Sequence, residues 1–522
     1  MKINDLLHKV YGTTPNDGNL QPKEAVAYAI TGFGQNLICT IIGSYLTIFM
    51  TDALLFGSID KGGIFGGITG AMAVAFLMLG TRIFDAFNDP IMGSIVDRTR
   101  TKWGKCRPYL KWMALPIAAM TIICFCPFLQ SKTMSTFVII SIVYIVWSVV
   151  YTVADVPYWG LSTCMTNDTV VRGNMLTITR LICTLGAGIV TVGVPIITNA
   201  VTAKYRYTDA DISTIMSTFG VDAEGAKTYV GTVMPEFIQA NADTLKWTYF
   251  ICAVVFTVIS IPMFYYGFKN TKERYTSTDA PPSLGHNLKL LFKNKELLLI
   301  VISGVLGGAR MVYTYTGGLY FAKYVLNNEG LYSLITLLVV PGGLVASVLV
   351  PWMTKKFTKK WAYIYVHILG AVVMFAMYFI GYDKPWKLIV CAIGLVLLGI
   401  PQGVNNIITY AMIGDTVDYL EWKTGERAEG ICFAMQTLIN KVGMAVGAFI
   451  GVFSYSWAKI NPEATPAITE GNKQLLWNIL ILAGAISMVG TIIPMLFYKI
   501  TEKRQKEMVE EVEARKAAAA KK

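Results

Sequence analysis

The sequence predicts an all-α polytopic membrane protein with twelve transmembrane helices in two six-helix halves. Three observations predict it. Of 522 residues, 54% are hydrophobic and only 15% charged, against about 25% charged in a soluble domain, and mean hydropathy is +0.51. Apolar stretches of about 20 residues, enough to cross a bilayer, recur along nearly the whole chain. Basic residues gather in links that all fall on one side of a twelve-span path.

The spans centre on residues 25–52, 63–96, 109–129, 135–160, 174–198, 247–268, 297–325, 331–353, 361–381, 387–413, 429–456 and 475–498. They divide the chain into an N-terminal segment (1–24), a first half (25–268), a central link (269–296), a second half (297–498) and a tail (499–522). The link carries Thr276-Ser-Thr-Asp279-Ala-Pro281-Pro282-Ser283, a loop-like cluster. The tail from Glu502 reads as a charged, solvated helix. The first 24 residues lack the apolar stretch of a signal, so no cleavable leader is expected.

The net charge of +12 is topological. Arg98, Arg100, Lys102, Lys105, Arg107 and Lys111 crowd the link after the second span. Lys355, Lys356, Lys359 and Lys360 crowd the link after the eighth, the same ordinal position in the second half. With the basic central link and tail, the positive-inside rule places both termini in the cytoplasm. The loop at 199–245, with Asp209, Asp211, Asp222, Glu224, Glu236 and Asp243, belongs outside. Nucleic acid is therefore not an expected partner; the lipid bilayer is. The repeated basic link is a weak internal symmetry, of the kind two parallel halves produce, with a substrate site between them near mid-membrane.

Catalysis finds no support. The nine cysteines show no disulfide or zinc spacing, and the three histidines are scattered. His367 lacks the sequence pattern of a nucleophile–base pair. No cofactor or resident metal is expected beyond a coupling ion.

Intramembrane charges point to function instead. The second span carries Arg82-Ile-Phe-Asp85-Ala-Phe-Asn88-Asp89-Pro90 between apolar runs. A carboxylate at the bilayer centre costs roughly 2.5–3.5 kcal/mol on insertion scales, so such groups face a paired or water-filled interior. Asp85 and Asp89 are four apart and share a helix face; with Asn88 they suit a small cation, and Arg82 is a charge partner. The fourth span carries Thr152-Val-Ala-Asp155-Val-Pro157-Tyr-Trp159. Asp155 and Trp159 share a face, a carboxylate and an indole that suit a sugar's hydroxyls and its C–H surface. Arg180 in the fifth span, Arg310 in the seventh, and Gln436, Thr437 and Lys441 in the eleventh are the remaining polar candidates. Arg180 reads either as a ligand or as the partner of an Asp. Arg310 has no carboxylate on its own span, which makes it the candidate for an anionic substrate group.

The second-span motif, Arg100-Thr-Lys-Trp103-Gly104-Lys105, Asp155-Val-Pro157-Tyr-Trp159 and Gly414-Asp415-Thr-Val-Asp418-Tyr419 resemble the signatures of the glycoside–pentoside–hexuronide:cation symporters, a major facilitator family, over residues 25–500. The resemblance implies a bacterial inner-membrane symporter that takes up sugar with Na+, Li+ or H+, and the expected protein is a monomer working by alternating access. On matching positions it implies a cation site of Asp85, Asn88, Asp89 and Thr152. It also implies a sugar site of Asp155, Trp159 and Arg180, with Gln436, Thr437 and Lys441 beside it. Two departures matter. Melibiose permease, a family member, has a Lys-Asp pair where this chain has Gln35-Asn36, and a Trp where it has Asn406. Losing an acid while placing Arg310 in the seventh span tilts the pocket positive, toward an anionic sugar such as a uronide rather than a neutral glycoside or oligosaccharide. An uncoupled facilitator or a lysolipid carrier on the same scaffold is the alternative.

Overall fold

The computed structural model describes residues 20–59, 62–166, 169–203, 235–274, 284–314, 316–328, 330–426, 429–460 and 469–520, together with Tyr11, Thr13 and residues 216–217. Among these residues there is no strand. Helices start where the sequence supplies a cap. Pro22 and the Gln21/Glu24 capping box open α1 (Pro22–Ile48). The Thr69 hydroxyl accepts from Met72 N to open α2 (Gly70–Arg98), Pro108 stands at the start of α3 (Arg107–Cys124), and Thr133 caps α4 (Met134–Met165). α5 (Thr169–Thr202) and α6 (Pro235–Asn270) complete the first six.

A link helix, α7 (Leu284–Lys293), precedes the seventh span, which is broken. It runs as α8 (Lys295–Leu306), a 3-10 stretch (Gly307–Thr314), the short α9 (Thr316–Tyr320) and a π turn (Phe321–Val325). Then come α10 (Leu331–Lys356), α11 (Lys359–Ile380), α12 (Pro385–Thr424), α13 (Glu429–Trp457), α14 (Glu470–Phe497) and the tail helix α15 (Glu502–Ala520).

Among the described residues nine of these helices are long and apolar enough to span a bilayer. The other three expected spans are α3, the broken seventh and α10. Large apolar side chains stand exposed along the spans, as at Leu185 of α5 (65%), Val372 of α11 (61%), Ile389 of α12 (64%) and Ile486 of α14 (64%). Such surfaces suit lipid rather than water.

Contacts group residues 1–77, 87–281 and 460–468 into one compact unit and residues 78–86, 282–459 and 469–522 into a second. Each is held at its basic end by the same acidic device. In the first unit Glu24, in the first turn of α1, takes both guanidinium nitrogens of Arg274 beyond α6 (2.7 and 3.0 Å). Glu273 accepts from the backbone nitrogens of Lys105, Cys106 and Arg107, capping α3. In the second unit Glu296, in the first turn of α8, accepts from Lys499 N beyond α14 (2.9 Å), and Glu502 accepts from Lys359 N at the start of α11 (2.6 Å). Each half thus uses an acid on its first helix to hold the chain leaving its sixth, and an acid beyond the sixth to cap its third.

Glycines set the closest packing in the second unit. A Cβ on Gly399 of α12 would meet Gly342 Cα of α10 at 2.8 Å, and one on Gly403 would meet Ala346 Cβ at 2.7 Å. Only glycine admits that approach.

Four expectations change. The second span begins at Gly70, not 63, because Gly66 (φ +54°) and Gly67 (φ +113°) take backbone conformations that an α-helix excludes. The sixth begins at Pro235, twelve residues earlier than 247, because a polar helical segment precedes the apolar run; residues 235–245 of the expected loop are therefore helical, while 204–215 and 218–234 lie outside the described residues. The expected link contains α7; its 275–283 stretch lies outside the described residues. The tail is helical but docked: Met508 is buried in the second unit's core, Gln505 donates to Asp418, and Trp422 donates to Glu511.

Candidate functional site

The second-span charges sit on one unbroken helix, α2. Asp85 is buried and ion-paired with Arg82 at 3.2 Å, the i,i+3 geometry the spacing suggests. One turn on, Asp89 accepts from the Thr152 hydroxyl of α4 at 3.1 Å. Between the acids, the Asn88 amide nitrogen is buried without a hydrogen-bond partner. Pro90 lies inside the helix and takes the usual bond from the Ala86 carbonyl. Carboxylates, an amide, a hydroxyl and a freed carbonyl are oxygen donors of the kind a small hard cation takes.

Three residues along α4 from Thr152, Asp155 is the centre of a second polar cluster. Its Oδ1 accepts from the Gln35 amide of α1, from Trp159 Nε1 at 3.1 Å and from the Tyr151 hydroxyl at 3.4 Å. Gln35 also donates to Tyr151 (3.2 Å), which leaves its carbonyl oxygen buried and unbonded. Arg180 is exposed and places its guanidinium 5.0 Å from the Trp159 ring centroid, a cation–π distance. Trp159 therefore bridges Asp155 and Arg180. Pro157 inside α4 removes the partner of the Val153 carbonyl.

In the second unit, Arg310 lies in the 3-10 stretch of the broken seventh span. It is 7% exposed; Nη1 donates to the Gly307 carbonyl at 2.9 Å and Nε is buried without a partner. Among the described residues no carboxylate pairs with it. Packing is close at the break. A Cβ on Gly308 would lie 3.0 Å from Gly443 Cα and 2.9 Å from Val446 Cβ of α13, and one on Gly307 would collide with Arg310 itself. His367 of α11, wholly buried, lies close enough to Arg310 to feel its charge. Its Nδ1 bonds the Tyr363 carbonyl (2.8 Å) and its Nε2 has no partner. Tyr363 is hydroxyl-bonded to Ser303, which donates to the Thr491 carbonyl.

Gln436 on α13 is buried and donates to Asn440 at 3.2 Å, while its Oε1 has no partner. Lys441 is half-buried. The Thr437 side chain lies outside the described residues. The Gly414–Tyr419 motif serves the basic end: Lys359 holds both oxygens of Asp415 at 2.7 Å.

Sequence reasoning passed over three residues that the structure brings to these clusters. Gln35 entered only as a departure from the family pattern, yet it is a donor to Asp155. Tyr151 stands one turn before Asp155, a spacing that could have flagged it. His367 was weighed only as a catalyst; its i+4 step from Tyr363 gives no hint of Arg310.

Residues 27–502 match the MFS/sugar transport protein family. The chain is 26% identical to the glucuronide carrier protein homolog of Escherichia coli (strain K12), covering 86% of this chain and 88% of that protein. It is also 26% identical to the isoprimeverose transporter of Lactiplantibacillus pentosus, covering 96% and 93%. In three dimensions it is similar to a point-mutant form of the nucleoside transporter NupG (TM-score 0.57, 15% identity, 91% of this chain and 100% of that one), a likeness of fold, and that fold is the twelve-helix major facilitator fold. The chain therefore belongs to the MFS/sugar transport protein family, among its glycoside–pentoside–hexuronide:cation symporters, and is a multi-pass membrane transporter, not an enzyme.

Proposed function

We propose that this chain imports an anionic sugar, one bearing a carboxylate or similar acid group, together with a monovalent cation by alternating access. Asp85, Asn88, Asp89 and Thr152 hold the cation, with Arg82 as charge partner. Asp155, Trp159 and Arg180 hold the sugar, and Gln436, Thr437 and Lys441 are the further sugar ligands that the family resemblance implies. Arg310 takes the acid group. Na+ is the proposed coupling ion because oxygen donors other than carboxylates gather with the acids, a set that H+ alone does not require. The basic links support a reading in which both termini face the cytoplasm across a bacterial inner membrane and the protein works as a monomer in the lipid bilayer.

Arg310 carries the reading. A guanidinium buried among apolar helices is costly without a countercharge, and an arriving carboxylate offers a bidentate partner. The similarity to a glucuronide carrier homolog supports it. The isoprimeverose transporter, whose named sugar is neutral, supports the competing neutral glycoside.

The test is uptake into vesicles holding this protein, using paired neutral and uronic-acid glycosides, each with and without an inward Na+ gradient. Na+-driven uptake of the acid, lost in Arg310→Gln, is expected. Uptake of the neutral glycoside alone, or an Arg310→Gln protein that transports every accepted substrate fully, overturns the anionic reading. Acid uptake driven equally by a proton gradient without Na+ overturns the choice of ion.

A further inference from the structure

Away from these clusters, at the basic end of the first unit, three elements meet around two thiols. Cys106 is the residue before α3, Cys164 lies in the last turn of α4, and Glu273 follows α6. The two sulfurs and a Glu273 carboxylate oxygen all lie within 4.8 Å of one another. Cys106 is 1% exposed and Cys164 2%. Glu273 is pinned by the backbone nitrogens of Lys105 (2.9 Å), Cys106 and Arg107 (2.8 Å each). A carboxylate offers about four acceptor positions, so one stays open. The residues are too far apart in sequence for spacing to announce them.

We propose that Cys106, Cys164 and Glu273 form a site for a soft divalent cation of the zinc class. The ligand set is two thiolates and a carboxylate from three elements, with a fourth position left to water. Tetrahedral zinc, with bonds of about 2.3 Å to sulfur and about 2.0–2.2 Å to oxygen, needs ligand atoms roughly 3.3–3.8 Å apart. The cluster reaches that by closing about 1 Å, within the range of side-chain rotation. Hard ions such as Mg2+ prefer all-oxygen shells and do not suit it.

Without metal the thiols share a hydrogen bond. That bond and burial push the Cys106 thiol well above its ordinary range, so it holds its proton. Metal must displace the thiol protons to bind. Thiolate binding to a metal releases protons, so binding tightens as pH rises. An occupied site ties the start of α3, the end of α4 and the chain beyond α6 into one staple.

The experiment uses the full chain in detergent micelles with Zn2+, Cd2+ or Mg2+. The expected result is one equivalent of Zn2+ or Cd2+ per chain, a thiolate-to-Cd2+ charge-transfer band, a raised unfolding temperature and no response to Mg2+. Alkylation followed by peptide mapping should find Cys106 and Cys164 protected by metal. Cys106→Ser and Cys164→Ser should lose the band and the thermal shift. The mapping and the pH dependence are read on the unaltered protein, so they decide the matter even if a serine variant fails to fold. Protection of other cysteines, or a thermal shift retained in a folded Cys106→Ser/Cys164→Ser protein, overturns the proposal. So does a protein whose Cys106 and Cys164 stay equally open to alkylation with and without Zn2+, or a metal-free protein in which Cys106 and Cys164 are already a disulfide.

Discussion

Gly342 and Gly343 are neighbours on α10, and replacing each by alanine should have opposite results. A Cβ on Gly342 would stand 2.8 Å from Gly399 Cα of α12 and closer still to the Val396 carbonyl oxygen. Both obstacles are backbone, so no side chain can swing aside. Ordinary contact begins near 3.4 Å, and α10 and α12 would have to part by roughly 1 Å along a glycine-lined seam. A Cβ on Gly343 meets nothing nearer than Gly399 O at 3.9 Å. Alanine in a helix interior gains about 1 kcal/mol over glycine, whereas overpacking costs about 1–3 kcal/mol. The propensity gain is common to both variants and cancels in their difference, which should be about 1–3 kcal/mol in favour of Gly343→Ala. Gly343→Ala should be at least as stable as the parent, and Gly342→Ala less stable than either. Unfolding by denaturant in micelles, read by circular dichroism, measures the difference. Equal stability of the two variants would refute the close α10–α12 approach.

Asp89→Asn should abolish gradient-driven accumulation while sparing sugar exchange; full accumulation would remove α2 from coupling. Thr152→Val removes the hydroxyl on Asp89 and should raise the cation concentration for half-maximal uptake about fivefold, the worth of one hydrogen bond of about 1 kcal/mol; unchanged cation dependence would assign Thr152 to packing. Glu502→Ala uncaps α11 and should destabilise the protein by about 1 kcal/mol in denaturant. A larger loss accompanied by release of the tail, seen as proteolysis after Tyr498, would mean that Glu502 anchors α15 as well.

What could be read from the letters follows from how unusual each signal is. Asp85, Asp89, Asp155 and Arg310 stand out because charges in apolar runs are expensive and rare. The basic links stand out because lysines and arginines accumulate on one side of a membrane. Neutral polar residues carry no such flag, so Gln35 could be tied to Asp155 only once α1 and α4 were packed together, and Tyr151 is betrayed only by its one-turn spacing from Asp155. The caps made by Glu273 and Glu502 join residues more than a hundred positions apart and leave no periodic trace. The break in the seventh span leaves only a weak trace in 297–325, the glycine pairs Gly307-Gly308 and Gly317-Gly318, and the close approach of Gly308 to Gly443 of α13 is visible only in the fold. Hydropathy also misplaced the start of α2, since it registers the apolar character of residues 63–69 and not the backbone angles their glycines adopt.

On the proposed roles, coupling has a short structural route. Thr152 and Asp155 stand three apart on α4, so their side chains share a face. One is bonded to Asp89, and the other gathers Gln35, Tyr151 and Trp159. The cation's ligand and the sugar's carboxylate thus occupy a single turn of helix. Pro157 leaves the Val153 carbonyl within that turn without its usual donor, making it the segment of α4 that adjusts most cheaply. An empty cation site leaves Asp89 to be neutralised by the protein alone, and a bound cation lowers that cost while fixing the Thr152 hydroxyl. Any reorientation of the turn that follows is felt at Asp155. Linkage then requires that sugar raise cation affinity by the same factor as cation raises sugar affinity. With Thr152 as the shared element, Thr152→Val should lower both factors together; a variant that weakens cation binding yet keeps the full mutual enhancement would show that the two sites communicate by another path.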